Sequence, residues 1–238
     1  MSRPVVEESP LIAVISGVAA AIPPATRALS EALPQADLWN LLDDRLIADA
    51  TEKGQVSVEL AGRMMRLIEH AKREQADAVL MTCSMYGFLA PDASARFGIP
   101  VHGPDDAAFH QVVVRGYESI HLVSSVELAL NDAVERATAA FASEGANVDI
   151  VPVLAEAARA PSLRKDTTGV AGAIVQAIQA TGREAEAVLL ANYTLADAAD
   201  YVSTGIARPV LTGPALAAQT LRETLTRIAE PQQLGPMT

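Results

Sequence analysis

The segments AVLMTCSM (78–85) and AVLLANYT (187–194) lie over one another at an offset of 109 residues. Each is a short apolar run that ends in small polar residues, the pattern of a fully buried strand running into a loop. The same offset sets LIAVIS (11–16) over IHLVSS (120–125), and Pro100 over Pro209. Both copies close on a Gly-Pro, at 103–104 and 213–214, after one inserted residue. Three anchors at one offset read as an internal duplication.

Between the anchors, strand-like and helix-like patterns alternate. Strands are expected at 11–16, 37–41, 78–81 and 99–102, and again from Ile120 to Ser124, at 148–151, 187–190 and 209–211. Helical stripes fall between them, such as Leu60, Met64, Leu67, Ile68 and Ala71, or Val170, Ile174, Val175 and Ile178. Pro23–Pro24 suits the first turn of a helix, and Asp105 or Asp106 suits a cap. This alternation predicts α/β architecture with parallel sheets. The duplication makes it two similar lobes related by a pseudo-twofold axis. Residues 1–109 with 214–238 form the first lobe and 110–213 the second, the last helix returning to the first lobe.

Ligands of open parallel sheets sit beyond the carboxyl ends of the strands. Pairing two such lobes brings those edges together across a cleft. The candidate site residues follow: Ser16 is matched to Ser125, and Cys83 to Asn192. Thr82, Ser84, Met85, Ser124, Tyr193 and Thr194 stand beside them. A helix beginning near Met85 would aim amides at Cys83 and favour its thiolate. Neither Thr82 to Gly87 nor Ala191 to Leu195 contains Lys or Arg, so an anionic ligand is expected to rest on backbone N–H groups and hydroxyls. Cys83 is the sole cysteine, and a lone cysteine is ordinarily a small buried hydrophobe. Its place at a duplicated strand end is what marks it.

Composition narrows the function classes. The 238 residues are 50% apolar and carry Lys+Arg 18 against Asp+Glu 29, a net charge of −11. A nucleic-acid binder needs a basic stripe, and none is present. One cysteine permits no internal disulfide, and no zinc or other metal motif occurs. No Gly-rich phosphate loop supports nucleotide use. The most apolar stretch, Leu11 to Ile22, is too short for a membrane span and stops at Pro23–Pro24, with Glu7 and Glu8 where a signal peptide would be basic. A soluble, cytoplasmic protein is expected. Its acidic, alanine-rich surface is compatible with a homo-oligomer.

Two α/β lobes with a thiol after the third strand resemble the aspartate/glutamate/hydantoin racemase superfamily, which includes maleate isomerases and arylmalonate decarboxylases. The likeness rests on Thr82-Cys83-Ser84, on the N-terminal stretch through LPQADLWNLLDD (33–44), and on PVLTGP (209–214). It implies an enzyme without a cofactor that holds a small carboxylate between two cysteines acting from opposite faces. This chain has only the first of the two, Asn192 standing at the second position. An amide does not titrate near neutral pH, so a two-thiol racemase is not expected. The Tyr193 hydroxyl is a conceivable second proton donor, though its ordinary pKa of about 10 makes it a reluctant base. The expectation is therefore an isomerase acting through the Cys83 thiol on a small carboxylate or related carbonyl acid. The alternatives are a one-thiol lyase of the decarboxylase type and a non-catalytic small-acid binding protein.

Overall fold

The computed structural model describes residues 9–229. Among them no helix is long and apolar enough to cross a membrane. Two four-stranded sheets, all parallel, carry the architecture. The first contains β1 (Leu11–Ser16), β2 (Asp37–Leu42), β3 (Ala78–Met81) and β4 (Val101–His102) in the order β2-β1-β3-β4. The second contains β5 (Ser119–Ser124), β6 (Asp149–Leu154), β7 (Ala187–Leu190) and β8 (Val210–Thr212) in the order β6-β5-β7-β8. The equal strand orders are the duplication made visible. β3 and β7 are buried along their whole length, which is why both read as unbroken apolar runs.

Strand limits depart from the sequence expectation at a few edges. β4 and β8 begin after Pro100 and Pro209, whose rings leave no N–H for the ladder. β6 runs on to Leu154, pairing with Ser124, where the apolar pattern had suggested an end near 151.

Helices complete the layers. In the first lobe, α1 (Ile22–Ala32) takes its prolines in the first turn and is followed by α2 (Arg45–Lys53), α3 (Val58–Arg73) and α4 (Ala90–Phe97). Ser57 caps α3 by accepting from the Leu60 N–H. Helix α5 (Asp106–Val114) buries Ala108, Phe109 and Val112 in the core of the second sheet, so the whole helix packs there and not only the residues from 110. The second lobe continues with α6 (Glu127–Ser143), α7 (Arg159–Leu163), α8 (Thr167–Ala180) and α9 (Ala199–Ile206). Helix α10 (Gly213–Ala229) buries Ala217, Ala218 and Leu221 against Leu29 of α1 and Ile12 and Val14 of β1. Each lobe thus sends the helix after its fourth strand onto its partner, and the two halves are locked by exchange.

The register fixes the true equivalences. Ile12 lies beside Ala78 and Ile120 beside Ala187, spacings of 66 and 67 residues. Ser16, the last residue of β1, therefore matches Ser124, the last of β5, and Gly17 matches Ser125. The pairing of Ser16 with Ser125 expected from the constant offset is corrected by this one-residue difference. Cys83 and Asn192 remain matched, each accepting through its carbonyl from the residue three positions on.

Candidate active site

Strand order reverses beside β1 in the first sheet and beside β5 in the second, which opens a crevice at the carboxyl ends of β1/β3 and β5/β7. The two crevices meet in a cleft between the lobes enclosing about 170 Å³. Thr82, Cys83, Ser84 and Met85 line it from the first lobe; Ser125, Asn192, Tyr193 and Thr194 line it from the second. Ser16 and Ser124 are fully buried behind the lining and act on it through hydrogen bonds. The Thr82 hydroxyl donates to Ser16 Oγ at 2.9 Å, and the Ser124 hydroxyl reaches Asn192 Oδ1 at 2.9 Å.

Cys83 stands at the floor, 5% exposed. Gly17 leaves room for it: a β-carbon there would come within 3.3 Å of Sγ and 3.1 Å of Ile47 Cγ1. The expected helix after Cys83 is a 3-10 turn from Ser84 to Leu89, and α4 starts only at Ala90. A single Met85 N–H favours the thiolate, while burial opposes it more strongly and pushes the thiol up to about 12. The buried Asp105 and the half-buried Asp132 add to that rise, and Arg136 opposes it. The expectation of a thiolate is thus corrected: Cys83 rests as a neutral thiol, a proton donor.

Asn192 faces it from the other lobe. Its Oδ1 accepts from the Ser125 backbone N–H at 2.9 Å and from Ser124 Oγ. A backbone N–H can only donate, so this contact identifies the oxygen and leaves the NH₂ for the cleft. Position 192 therefore presents hydrogen-bond donors where the duplication would place a second thiol. Tyr193 contributes its ring, but its hydroxyl is buried without a partner among the described residues, and burial holds its pKa well above the ordinary value. The suggestion that this hydroxyl serves as a second proton donor is corrected by its seclusion from the cleft.

Several residues of the site escaped the sequence reading. Arg159, at the start of α7, lines the cleft with Ser162 and Leu163 and is the one Lys or Arg among its described lining residues. It supplies the cation that the two strand-end motifs lack. Ser162 Oγ donates to the Thr194 carbonyl at 3.1 Å and ties α7 to the turn after β7. Val18, Ala20, Ala21, Ile47, Val126 and Ala129 furnish apolar walls. No local pattern could have revealed these, because α7 is five residues long and reaches the cleft only through the fold.

Contacts between the lobes hold Cys83 in place. Ser84 Oγ donates to the Ala191 carbonyl at 2.8 Å. Arg136 of α6 donates to the Ser84 carbonyl at 3.3 Å and to Asp105 Oδ2 at 2.7 Å, and also pairs with Asp132 at 2.8 Å and Asp106 at 3.4 Å. Asp105, expected as a cap of α5, occupies the N-cap position without a capping bond, its carboxylate being drawn to Arg136.

Fold and cleft define a class: two-lobed α/β proteins that present one strand-end side chain from each lobe to a shared cleft. The chain belongs to the Asp/Glu/Hydantoin racemase family, whose model matches residues 12–221. Among solved structures, a glutamate racemase from Bacillus anthracis superposes with a TM-score of 0.73 at 14% identity, over 93% of this chain and 84% of that one. An allantoin racemase from Klebsiella pneumoniae gives 0.63 at 16%, over 97% and 95%. A cysteine-exchanged double mutant of arylmalonate decarboxylase in liganded form gives 0.56 at 20%, over 90% and 93%. No curated protein sequence matches the chain significantly.

Proposed function

We propose that this protein is a cofactor-independent enzyme that transfers a proton at the carbon next to a carboxyl group, from one face only, with Cys83 as the proton carrier. The observation that carries this reading is that Cys83 and Asn192, the matched strand-end residues of the two lobes, line one cleft, with the Asn192 Oδ1 taken up by Ser124 and Ser125 and its NH₂ left over. Arg159 holds the carboxylate, and the Asn192 NH₂ hydrogen-bonds the oxygen on which charge develops as an enolate forms. Beside the buried ends of β3 and β7 such donors are worth more than in solution. Ser125 lines the same space and adds a hydroxyl.

A neutral thiol suits the lyase form of this chemistry best. The bond from the acidic carbon to a departing carboxyl group breaks, its electron pair passes into the enolate as CO₂ leaves, and the carbon takes the Cys83 proton. Water then restores the thiol. Membership of a racemase family keeps an isomerase as the second reading; with one thiol its form is addition of Cys83 as thiolate to an activated C=C bond, rotation of the adduct, and departure of the thiolate. That route requires the thiol proton to pass to the substrate's own carboxylate as the thiolate forms, and to return when the thiolate leaves.

Incubation with a panel of small carboxylic acids in D₂O, followed by NMR, tests both. Exchange or CO₂ release that Cys83→Ala abolishes supports the proposal. Turnover that survives Cys83→Ala overturns it, and tight binding without any turnover returns the protein to the class of acid-binding proteins.

A further inference from the structure

The polar part of the cleft is matched to oxygen, and its remainder is matched to hydrocarbon. Its charged lining side chain is Arg159, and its amide turns donors inward because Oδ1 of Asn192 is already used by Ser124 and Ser125. Among the described residues no Asp, Glu or His lines the cleft. Asp105, buried, and Asp132, half-buried, are held in ion pairs with Arg136. The cleft is also lined by the apolar side chains of Val18, Ile47, Val126, Ala129 and Leu163.

An ammonium group entering this space would lose water and meet no carboxylate, while sharing the cavity with a guanidinium. Desolvating a cation without a counter-charge is among the costliest events in molecular recognition. A carboxylate faces the reverse situation, with Arg159 and the Asn192 NH₂ both available. Burying a hydrocarbon substituent against the aliphatic wall adds to affinity in proportion to the area covered.

We infer that the substrate is a carboxylic acid bearing an apolar substituent and no ammonium group, and therefore not an α-amino acid. This rests on the proposed reading of the cleft as the site of reaction. The acid lies with its carboxylate at Arg159 and Asn192 and its substituent against apolar lining residues such as Ile47 and Ala129.

Calorimetric titration with matched probes tests it: 4-methylpentanoate against both enantiomers of leucine, which differ from it by the ammonium group alone, with glutamate as the dicarboxylate control. The expected result is at least 30-fold tighter binding of 4-methylpentanoate than of either leucine enantiomer, and no measurable glutamate binding. Arg159→Gln should weaken 4-methylpentanoate at least tenfold. Ile47→Asp, its folding checked by circular dichroism, should narrow or reverse the preference by supplying the missing counter-charge. Leucine or glutamate binding as tightly as 4-methylpentanoate overturns the inference, as does failure of all four probes to bind. Discrimination that persists while turnover survives Cys83→Ala would sink the proposed proton carrier and leave the substrate class standing.

Discussion

Burial makes Cys83 a slow nucleophile, and the size of the effect follows from its surroundings. With the thiol pushed up to about 12 from an ordinary 9.0, about 3 parts in 10⁵ are ionised at pH 7.5, against about 3% for an ordinary cysteine. The thiolate population is thus lower by about 10³. Intrinsic nucleophilicity rises with basicity, with a Brønsted coefficient of about 0.4–0.5, which returns roughly 15–30-fold. Reaction with a small aromatic disulfide at pH 7.5 should therefore run about 30–60-fold slower than with a free thiol, before any loss from restricted access. The rate should climb tenfold per pH unit to at least pH 10 without levelling. The absorbance of the released thiol reports it directly, and the chain's single cysteine removes ambiguity. A plateau with a midpoint below pH 8 would refute the assignment of Cys83 as a resting acid and make the thiolate-addition chemistry the better reading.

Two further outcomes test the lobe junction that positions the thiol. Arg136→Leu removes the guanidinium from Asp105, which is 1% exposed, and should cost about 3–5 kcal/mol in urea unfolding. Burial already raises the Asp105 pKa even beside Arg136. A folded-state pKa above the unfolded one means stability is lost as pH rises, so the penalty should be larger at pH 8 than at pH 5; a pH-independent change below about 1 kcal/mol would contradict the network's role. Gly213→Ala would drive a β-carbon into the Pro104 carbonyl and to 2.7 Å from Tyr193 Cε1, and should cost about 1–3 kcal/mol or more by overpacking, read as a lowered Tm.

Much of this molecule was legible in its sequence because buried parallel strands leave continuous apolar runs. AVLM and AVLL mark β3 and β7 to the residue, and the repeat of their surroundings announces two lobes. The matched ends at Cys83 and Asn192 could be read for the same reason. What stayed hidden depends on long-range packing. Arg159 sits in a five-residue helix whose local pattern carries no signal, and only the fold swings it over the cleft. The match of Ser16 to Ser124 was missed because one lobe spends an extra residue between its first and third strands. The ionisation state of Cys83 was misread because a strand-end thiol looks activated in sequence, whereas the enclosing walls that hold it neutral come from elements far apart along the chain.

The opposition of one proton-carrying side chain to one that cannot carry a proton is best tested by the stereochemistry of deuterium delivery. With an acid found to turn over in D₂O, the wild-type protein should place label on a single face of the product carbon, and Asn192→Cys should scramble the configuration by supplying a donor on the other face. A racemic labelled product from the wild type, or an unchanged single enantiomer from correctly folded Asn192→Cys, would contradict it.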